Sequence, residues 1–426
     1  MKRFLRLLLF LLVCQVVFGN TFVFGQENKK ETLTRLGFRL PEGRSSFNVP
    51  FELIDNLIVV KIVINRTLPL KFIIDTGVRT SILTEKTFTD LLNISYSRTI
   101  KIPVPGSEKI VLAFVAPNIT LDMSGLIGKG HALLVLEHDL LELKNILGHN
   151  VQGILGYELF SRFIIEINYQ NKVMTLYEPD AFYKKNYDKK KKFYRIPITV
   201  EDTKPYFITT ILHQDGTTTQ AKLMLDTGAS HAILLDVESS DEISLPENRI
   251  FSHLGRGLGG DIKGYIGRVS SVSFADFQFN DVITTYPEKQ FYGQGTIDTH
   301  RNGTMGGGIF SRFRMVFDFV EGYVYFKKNN KYRRPFEYNM SGVVIKAKGL
   351  YLNTFEIIDV RENSTAEEAG IKEGDMIVRI NGSLTTEMEL GEVHSILNSK
   401  PNKILRLDLY RDGKTIQRKF KLERII

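Results

Sequence analysis

Residues 72–83 read FIIDTGVRTSIL, and residues 223–234 read LMLDTGASHAIL. In each stretch an apolar run ends in Asp-Thr-Gly and a second apolar patch follows. An apolar run closed by polar turn residues reads as a buried strand that delivers a side chain to a turn. The chain therefore writes one strand–turn unit twice. A second pair of segments repeats with it: 153–163 is GILGYELFSRF and 303–313 is GTMGGGIFSRF, the Phe-Ser-Arg-Phe tetrad recurring 150 positions later. Asp75 precedes Gly156 by 81 positions, and Asp226 precedes Gly306 by 80. Two copies with almost no length drift indicate the duplication of one lobe, since a solenoid needs more repeats.

A duplicated aspartate has a chemical meaning. If the lobes pack about a pseudo-twofold axis, Asp75 and Asp226 meet on it, as equivalent residues do in a twofold dimer. Two carboxyls so close cannot both ionise cheaply, so they share one proton. One then serves as general base towards a water while the other, protonated, donates to a carbonyl oxygen. That pairing suits amide hydrolysis without a metal or a covalent intermediate.

On these residues the chain resembles a two-lobed aspartic protease, and its lobes are similar to the retropepsin-like bacterial aspartyl proteases. The resemblance spans residues 45–328. It implies a mainly β fold of two barrel-like lobes, a polypeptide substrate and no cofactor. It makes Asp75 and Asp226 the catalytic pair. Thr76 and Thr227 would brace the two loops, Gly77 and Gly228 would permit close backbone approach, and the segments ending in Gly156 and Gly306 would pass under the loops. In pepsins a hydroxyl residue follows Asp-Thr-Gly and donates to the carboxylate. Here that position is Val78 or Ala229, which removes one influence lowering the pKa and predicts a working range less acid than pepsin's. Arg79 and Ser230, next along, are expected at the cleft mouth, where Arg79 would either read an acidic substrate group or form a surface salt bridge.

Outward from the two loops, residues 46–65 read as paired strands, and Asn65-Arg66 as the turn before the strand that carries Asp75. Thr84 is placed to cap a short helix over Glu85–Leu92, and residues 138–147 read as a second helix. Residues 99–115 read as a hairpin turning at Pro105-Gly106, which the resemblance makes a flap over the cleft and the spacing alone allows equally as an ordinary surface hairpin. In the second half, 251–268 is FSHLGRGLGGDIKGYIGR. Its flexible tip at Leu258-Gly259-Gly260 would close over a substrate backbone.

The 426 residues carry a formal charge of +8 and a single cysteine, Cys14. The start, MKRFLRLLLFLLVCQVVFGN, has a basic front and an apolar stretch, as an export signal does. Residues 1–25 are read as that signal, so the protein is expected to be periplasmic, cell-surface or secreted. Losing Cys14 with it leaves no thiol for a disulfide or a thiolate metal site. The basic run KKNYDKKKKFYR at 184–195 separates a first lobe at 26–185 from a second at 193–330. This run, or an uncleaved signal, would be the route to membrane association. Nucleic-acid binding is not expected of an exported chain with no recognisable module.

After residue 330 the composition shifts, and a third domain is expected over 343–426. Residues 357–382 read IIDVRENSTAEEAGIKEGDMIVRING, which resembles the PDZ domains of bacterial exported proteases. The Ser364-Thr365-Ala366 start, Ala369-Gly370-Ile371, Gly374-Asp375 and Asn381-Gly382 carry the resemblance. It implies an α+β domain with helices near 365–369 and 388–397 and a strand at 376–380. In that family a peptide C-terminus adds as a strand beside the second helix. By position the holding loop would be Gly349, Leu350, Tyr351 and Leu352; the alternative is a PDZ domain that packs on the protease without binding peptide. His131, His138 and His149 show no ligand spacing for zinc, and neither a nucleophile elbow nor a phosphate loop is visible. Two functions are therefore expected to compete: an exported aspartic endopeptidase with a docking PDZ domain, or a non-catalytic peptide-binding scaffold that keeps the fold.

Overall fold

LPLKFII folds as the strand Leu68–Ile74, and TTQAKLML as Thr218–Leu225. Both end in continuous buried residues because both lie inside a sheet, covered on each face near the loop they feed. A short parallel strand flanks each one. Gly153–Leu155 pairs with the first, Phe72 opposite Gly153, and Gly303–Met305 pairs with the second, Leu223 opposite Gly303. Glycine opens both flanking strands for steric reasons: a Cβ at Gly153 would lie 2.2 Å from the Phe72 ring, and one at Gly303 would lie 1.9 Å from the Leu234 carbonyl oxygen.

The computed structural model describes residues 36–103, 110–184, 192–288 and 301–426. The expected signal at 1–25, the Pro105-Gly106 tip and most of the basic run lie outside the described residues. From Phe38 to Ile426 the chain forms one compact unit.

The two lobes repeat one set of strand pairings, closed in the first by Ile110–Met123 on Leu126–Leu136 and in the second by Lys204–Leu212 on Gly260–Phe274. In the first, the path runs from Leu126–Leu136 through Ile82–Leu83, Gly153–Leu155, Leu68–Ile74, Leu57–Ile64 and Ile110–Met123 to Arg98–Pro103. In the second it runs from Lys204–Leu212 through Thr218–Leu225, Gly303–Met305, Ile233–Leu235, Phe277–Pro287 and Gly260–Phe274 to Arg249–Gly257. A six-stranded sheet joins the lobes. Ser46–Pro50, Val173–Tyr177 and Ile164–Asn168 come from the first half, and Phe313–Asp318, Tyr323–Lys328 and Tyr194–Pro197 from the second. Its seam is antiparallel, Ile165 opposite Phe317 and Asn168 opposite Arg314. Phe160, Phe163, Phe310 and Phe313 of the repeated tetrads are all buried in the shared core.

Two helix expectations are corrected. The first helix is Thr87–Asp90, preceded by Lys86 with no side-chain cap. Thr84 is buried, and its N–H donates to the Gln152 carbonyl at 2.9 Å, so it belongs to the strand region and stands two residues before Lys86, which precedes the helix. The second is Leu143–Leu147, five residues shorter at its start because Glu142 takes φ 47°, a left-handed conformation that cannot continue a helix backwards.

The C-terminal domain has the sheet order Val343–Lys348, Thr354–Val360, Met376–Ile380, Ile404–Arg411, Lys414–Lys421. Thr365–Glu368 and Leu390–Leu397 are its helices. Ser364 caps the first by accepting from the Glu367 N–H, and a capping box between Glu389 and Glu392 starts the second. The buried Asp375 carboxylate accepts from Arg411, which fixes the turn after Gly374. Leu350 and Tyr351, at the turn between the first two strands, are 85% and 82% exposed, whereas Leu352 packs into the core.

Candidate active site

The strands Leu68–Ile74 and Thr218–Leu225 end at Asp75 and Asp226. Each aspartate is tied to its lobe by its own N–H, Asp75 donating to the Leu155 carbonyl (3.0 Å) and Asp226 to that of Met305 (2.9 Å). Between the lobes the two threonines bond reciprocally. Thr76 N–H donates to Thr227 Oγ1 (3.1 Å), and Thr227 N–H donates to Thr76 Oγ1 (3.0 Å). Each hydroxyl donates in turn across the interface, Thr76 to the Leu225 carbonyl (2.6 Å) and Thr227 to the Ile74 carbonyl (2.8 Å). Both threonines are almost fully buried. Four bonds made where water cannot compete fix the two loops against each other.

That brace brings the carboxyls together. Gly77 N–H donates to Asp75 Oδ1 at 2.6 Å, and Gly228 N–H to Asp226 Oδ1 at 2.8 Å. Asp75 lies directly over the opposite loop, so a Cβ at Gly228 would be 2.2 Å from Asp75 Oδ2. A Cβ at Gly77 would lie 3.1 Å from Asp75 and 3.3 Å from Asp226. Burial, and next the charge of Asp226, push the Asp75 carboxyl well above the ordinary carboxylate range. Burial raises Asp226 too, but the Gly228 N–H, a hydrogen bond from Asp75, and the cations Arg301 and Lys204 oppose it. Both carboxyls are thus held above the ordinary range, Asp75 the more strongly, as in a pair that shares one proton.

Gly156 and Gly306 pass under the loops. A Cβ at Gly156 would lie 2.2 Å from the Val78 carbonyl oxygen, and one at Gly306 would lie 2.7 Å from that of Ala229. The residues that follow complete the match, Tyr157 N–H donating to Val78 (2.8 Å) and Gly307 N–H to Ala229 (2.7 Å).

The remaining expected positions are more scattered. Arg79 takes the second of its two expected fates, pairing with Asp202 of the second lobe at 3.1 Å with both side chains 68% exposed. Ser230 lines a cavity of about 500 Å³, and its carbonyl accepts from the Asn56 side chain at 3.3 Å. Leu258 and Gly259 form the two-residue turn of the hairpin Arg249–Gly257/Gly260–Phe274, with Gly257 opposite Gly260. Its tip crosses to the first lobe: Leu258 packs in one cluster with Val111, Ala113, Ile82 and Ile154. Gly349, Leu350, Tyr351 and Leu352 form the turn between Val343–Lys348 and Thr354–Val360, in a different sheet from the strands that carry the aspartates. Among the described residues no group of three or more His, Cys, Asp or Glu is placed to hold a metal ion.

The sequence reading missed a polar chain behind the first loop. Gly156 N–H donates to Ser81 Oγ at 3.1 Å; the Ser81 hydroxyl donates to Glu158, whose other oxygen pairs with buried His131. His131 and Glu158 sit 27 positions apart on a strand and a short helix, a spacing with no periodic signal.

The fold and the loops define a two-lobed β protein whose lobes meet at a pair of carboxyls. Residues 211–306 match the model of the family described as aspartyl protease, and residues 356–411 match that of the PDZ domain. The chain thus carries an aspartyl protease domain followed by a C-terminal PDZ domain. The first match lies wholly in the second lobe, and the first lobe repeats its loop geometry. Among solved structures the chain is similar to the basic 7S globulin of soybean, at 10% identity over 67% of this chain and 95% of that one, with a TM-score of 0.39. No curated protein matches it.

Proposed function

We propose that the chain is an exported aspartic endopeptidase that hydrolyses peptide bonds with a water activated by Asp75 and Asp226. The observation that carries this reading is the pair of buried carboxyls brought together by the threonine brace, both pushed above the ordinary carboxylate range. Asp226 takes a proton from the water while the water oxygen adds to the carbonyl carbon, and Asp75 gives its proton to the carbonyl oxygen. The tetrahedral species then collapses: its hydroxyl proton returns to Asp75, the nitrogen takes the proton held by Asp226, and the C–N bond breaks. The pair ends as it began.

The two hairpins supply the cover for such a cleft, since Leu258 of one joins Val111 and Ala113 of the other. Closing them would exclude water from an extended substrate backbone. The PDZ domain docks a substrate or partner peptide by strand addition. Export rests on the basic and apolar start of the sequence.

Incubation with a denatured protein tests the reading. Cleavage that disappears with a statine-type inhibitor and in Asp226→Asn supports it; cleavage that survives either one sinks it. With Val78 and Ala229 where a hydroxyl would lower the pair's pKa, activity should peak at a pH well above 2.

A further inference from the structure

In the C-terminal sheet the strand Val343–Lys348 has, among the described residues, a ladder partner on one side only, Thr354–Val360. Its other side is the edge at which an extended peptide would add, next to the helix Leu390–Leu397. The first lobe already covers that edge. Its helix Leu143–Leu147 packs along the strand, and the Asn145 amide donates to the Ala347 carbonyl at 2.9 Å. The opposite wall of the groove is covered too. Gly148 packs so closely on Leu390 that a Cβ there would lie 2.5 Å from that of Leu390, and the charge of Asp55 reaches His394.

The covering segment also holds the hairpin of the second lobe. Glu142, at its start, sits at φ 47°, where a glutamate is uncommon and a local constraint must keep it. Its carboxylate accepts from Lys346 of the edge strand at 3.1 Å and from Arg256 of the hairpin at 3.1 Å. Arg256 further donates to the Leu140 carbonyl at 2.8 Å, two residues before the Leu258 tip. The two lobes and the PDZ domain border an open cavity of about 280 Å³ lined by Glu142, His253, Arg256, Lys346, Glu356 and Asp359.

We propose that the first lobe occupies the peptide groove of the PDZ domain and that this contact, through Glu142, keeps the second-lobe hairpin laid across the cleft. A peptide that takes the edge of Val343–Lys348 has to lift Leu143–Leu147 first, and Glu142 with it, which frees Arg256 and the hairpin. Partly exposed ion pairs of this kind each shift an equilibrium by at most about fivefold. A strand that adds several backbone hydrogen bonds outweighs them. The PDZ domain is then a gate on the cleft, an inference that rests on reading that cleft as the peptidase site.

Two variants of the full chain test the gate. Asn145→Asp removes the donor to Ala347 and sets a carboxylate against that carbonyl, and Lys346→Glu repels Glu142 from the PDZ side. Hydrogen exchange is followed by mass spectrometry in residues 343–348 and 249–267, together with cleavage of a denatured protein at limiting concentration. We expect exchange in both segments to become about three- to tenfold faster in each variant, as loss of one or two such contacts predicts, with a similar rise in cleavage. The gate is overturned if the edge strand loosens while 249–267 exchanges as before, or if neither segment changes in either variant. If both segments loosen while neither the parent protein nor the variants cleave, the gate stands and the peptidase reading falls.

Discussion

Gly156 in the first lobe and Gly306 in the second occupy one position of the repeat, yet their N–H groups donate to different partners. Gly156 uses the hydroxyl of Ser81, backed by Glu158 and His131; Gly306 uses the backbone carbonyl of Ala232 at 3.0 Å. The second lobe has no room for the polar chain, because Gly308 stands where Glu158 would, and a Cβ there would lie 2.7 Å from the Ala232 nitrogen. The arginines of the tetrads diverge as well. Arg162 is exposed, whereas buried Arg312 donates to the carbonyls of Gly308, Lys331, Arg334 and Pro335 and stacks 3.6 Å over the Phe336 ring. In that way the second copy has become the anchor of the segment leading to the PDZ domain. Groups that face the pseudo-twofold axis stayed alike, and groups that face away took on separate tasks.

The largest test of this comparison is at the axis. Asp75→Asn and Asp226→Asn should each lower kcat by about 10²- to 10⁴-fold in a peptide-cleavage assay. Their stabilities should differ. The raised Asp75 carboxyl keeps its proton in the folded state at a pH where the unfolded chain has released it. Stability therefore falls as pH rises from the ordinary carboxylate value through the raised one. Asp75→Asn abolishes that fall, so its thermal midpoint should exceed the parent's increasingly as pH is raised through that window. Asp226→Asn should gain less, since the cations Arg301 and Lys204 favour its charged form.

Next in size is Arg312→Ala, which strips buried carbonyls of their donor and should cost about 2–4 kcal/mol in denaturant unfolding. Arg162→Ala at the equivalent place should change stability by less than about 0.5 kcal/mol. Equal losses for the two would show that the copies had not diverged. Thr76→Val and Thr227→Val each remove two reciprocal bonds and should each cost about 2–3 kcal/mol. The two values should agree within about 0.5 kcal/mol if the brace is symmetric. The smallest effect is expected at Glu158→Gln, about 1 kcal/mol, because the amide still accepts from Ser81 and loses only the charged partner of His131.

The axis was legible in the sequence because its chemistry is written in consecutive letters. Asp-Thr-Gly carries the carboxyl, the bracing hydroxyl and the close-approach glycine within three residues, and the Phe-Ser-Arg-Phe tetrad fixes the register between copies. In the PDZ domain Ser364, Gly370, Gly374 and Asn381 could be read for the same reason, each answering a local need for a cap or a left-handed turn. What escaped depends on residues far apart in sequence. Glu142 meets Lys346 across 204 positions, and Arg256 meets Leu140 across 116. The helix beginning at Leu143 was overextended because the apolar periodicity runs on through Leu140 and Leu141, which pack against the hairpin cluster as non-helical backbone.

The seam of the central sheet has a consequence for how the protein is made. Ile164–Asn168 finds its ladder partner in Phe313–Asp318, which leaves the ribosome about 150 residues later. At ordinary elongation rates the nascent first half waits about 10–30 s with a row of unpaired amides and carbonyls along that strand. During that interval it is a template for any other emerging copy, so crowded synthesis should favour swapped pairs and clumps. A chaperone that shields exposed strand edges during that interval should therefore raise the yield of this chain.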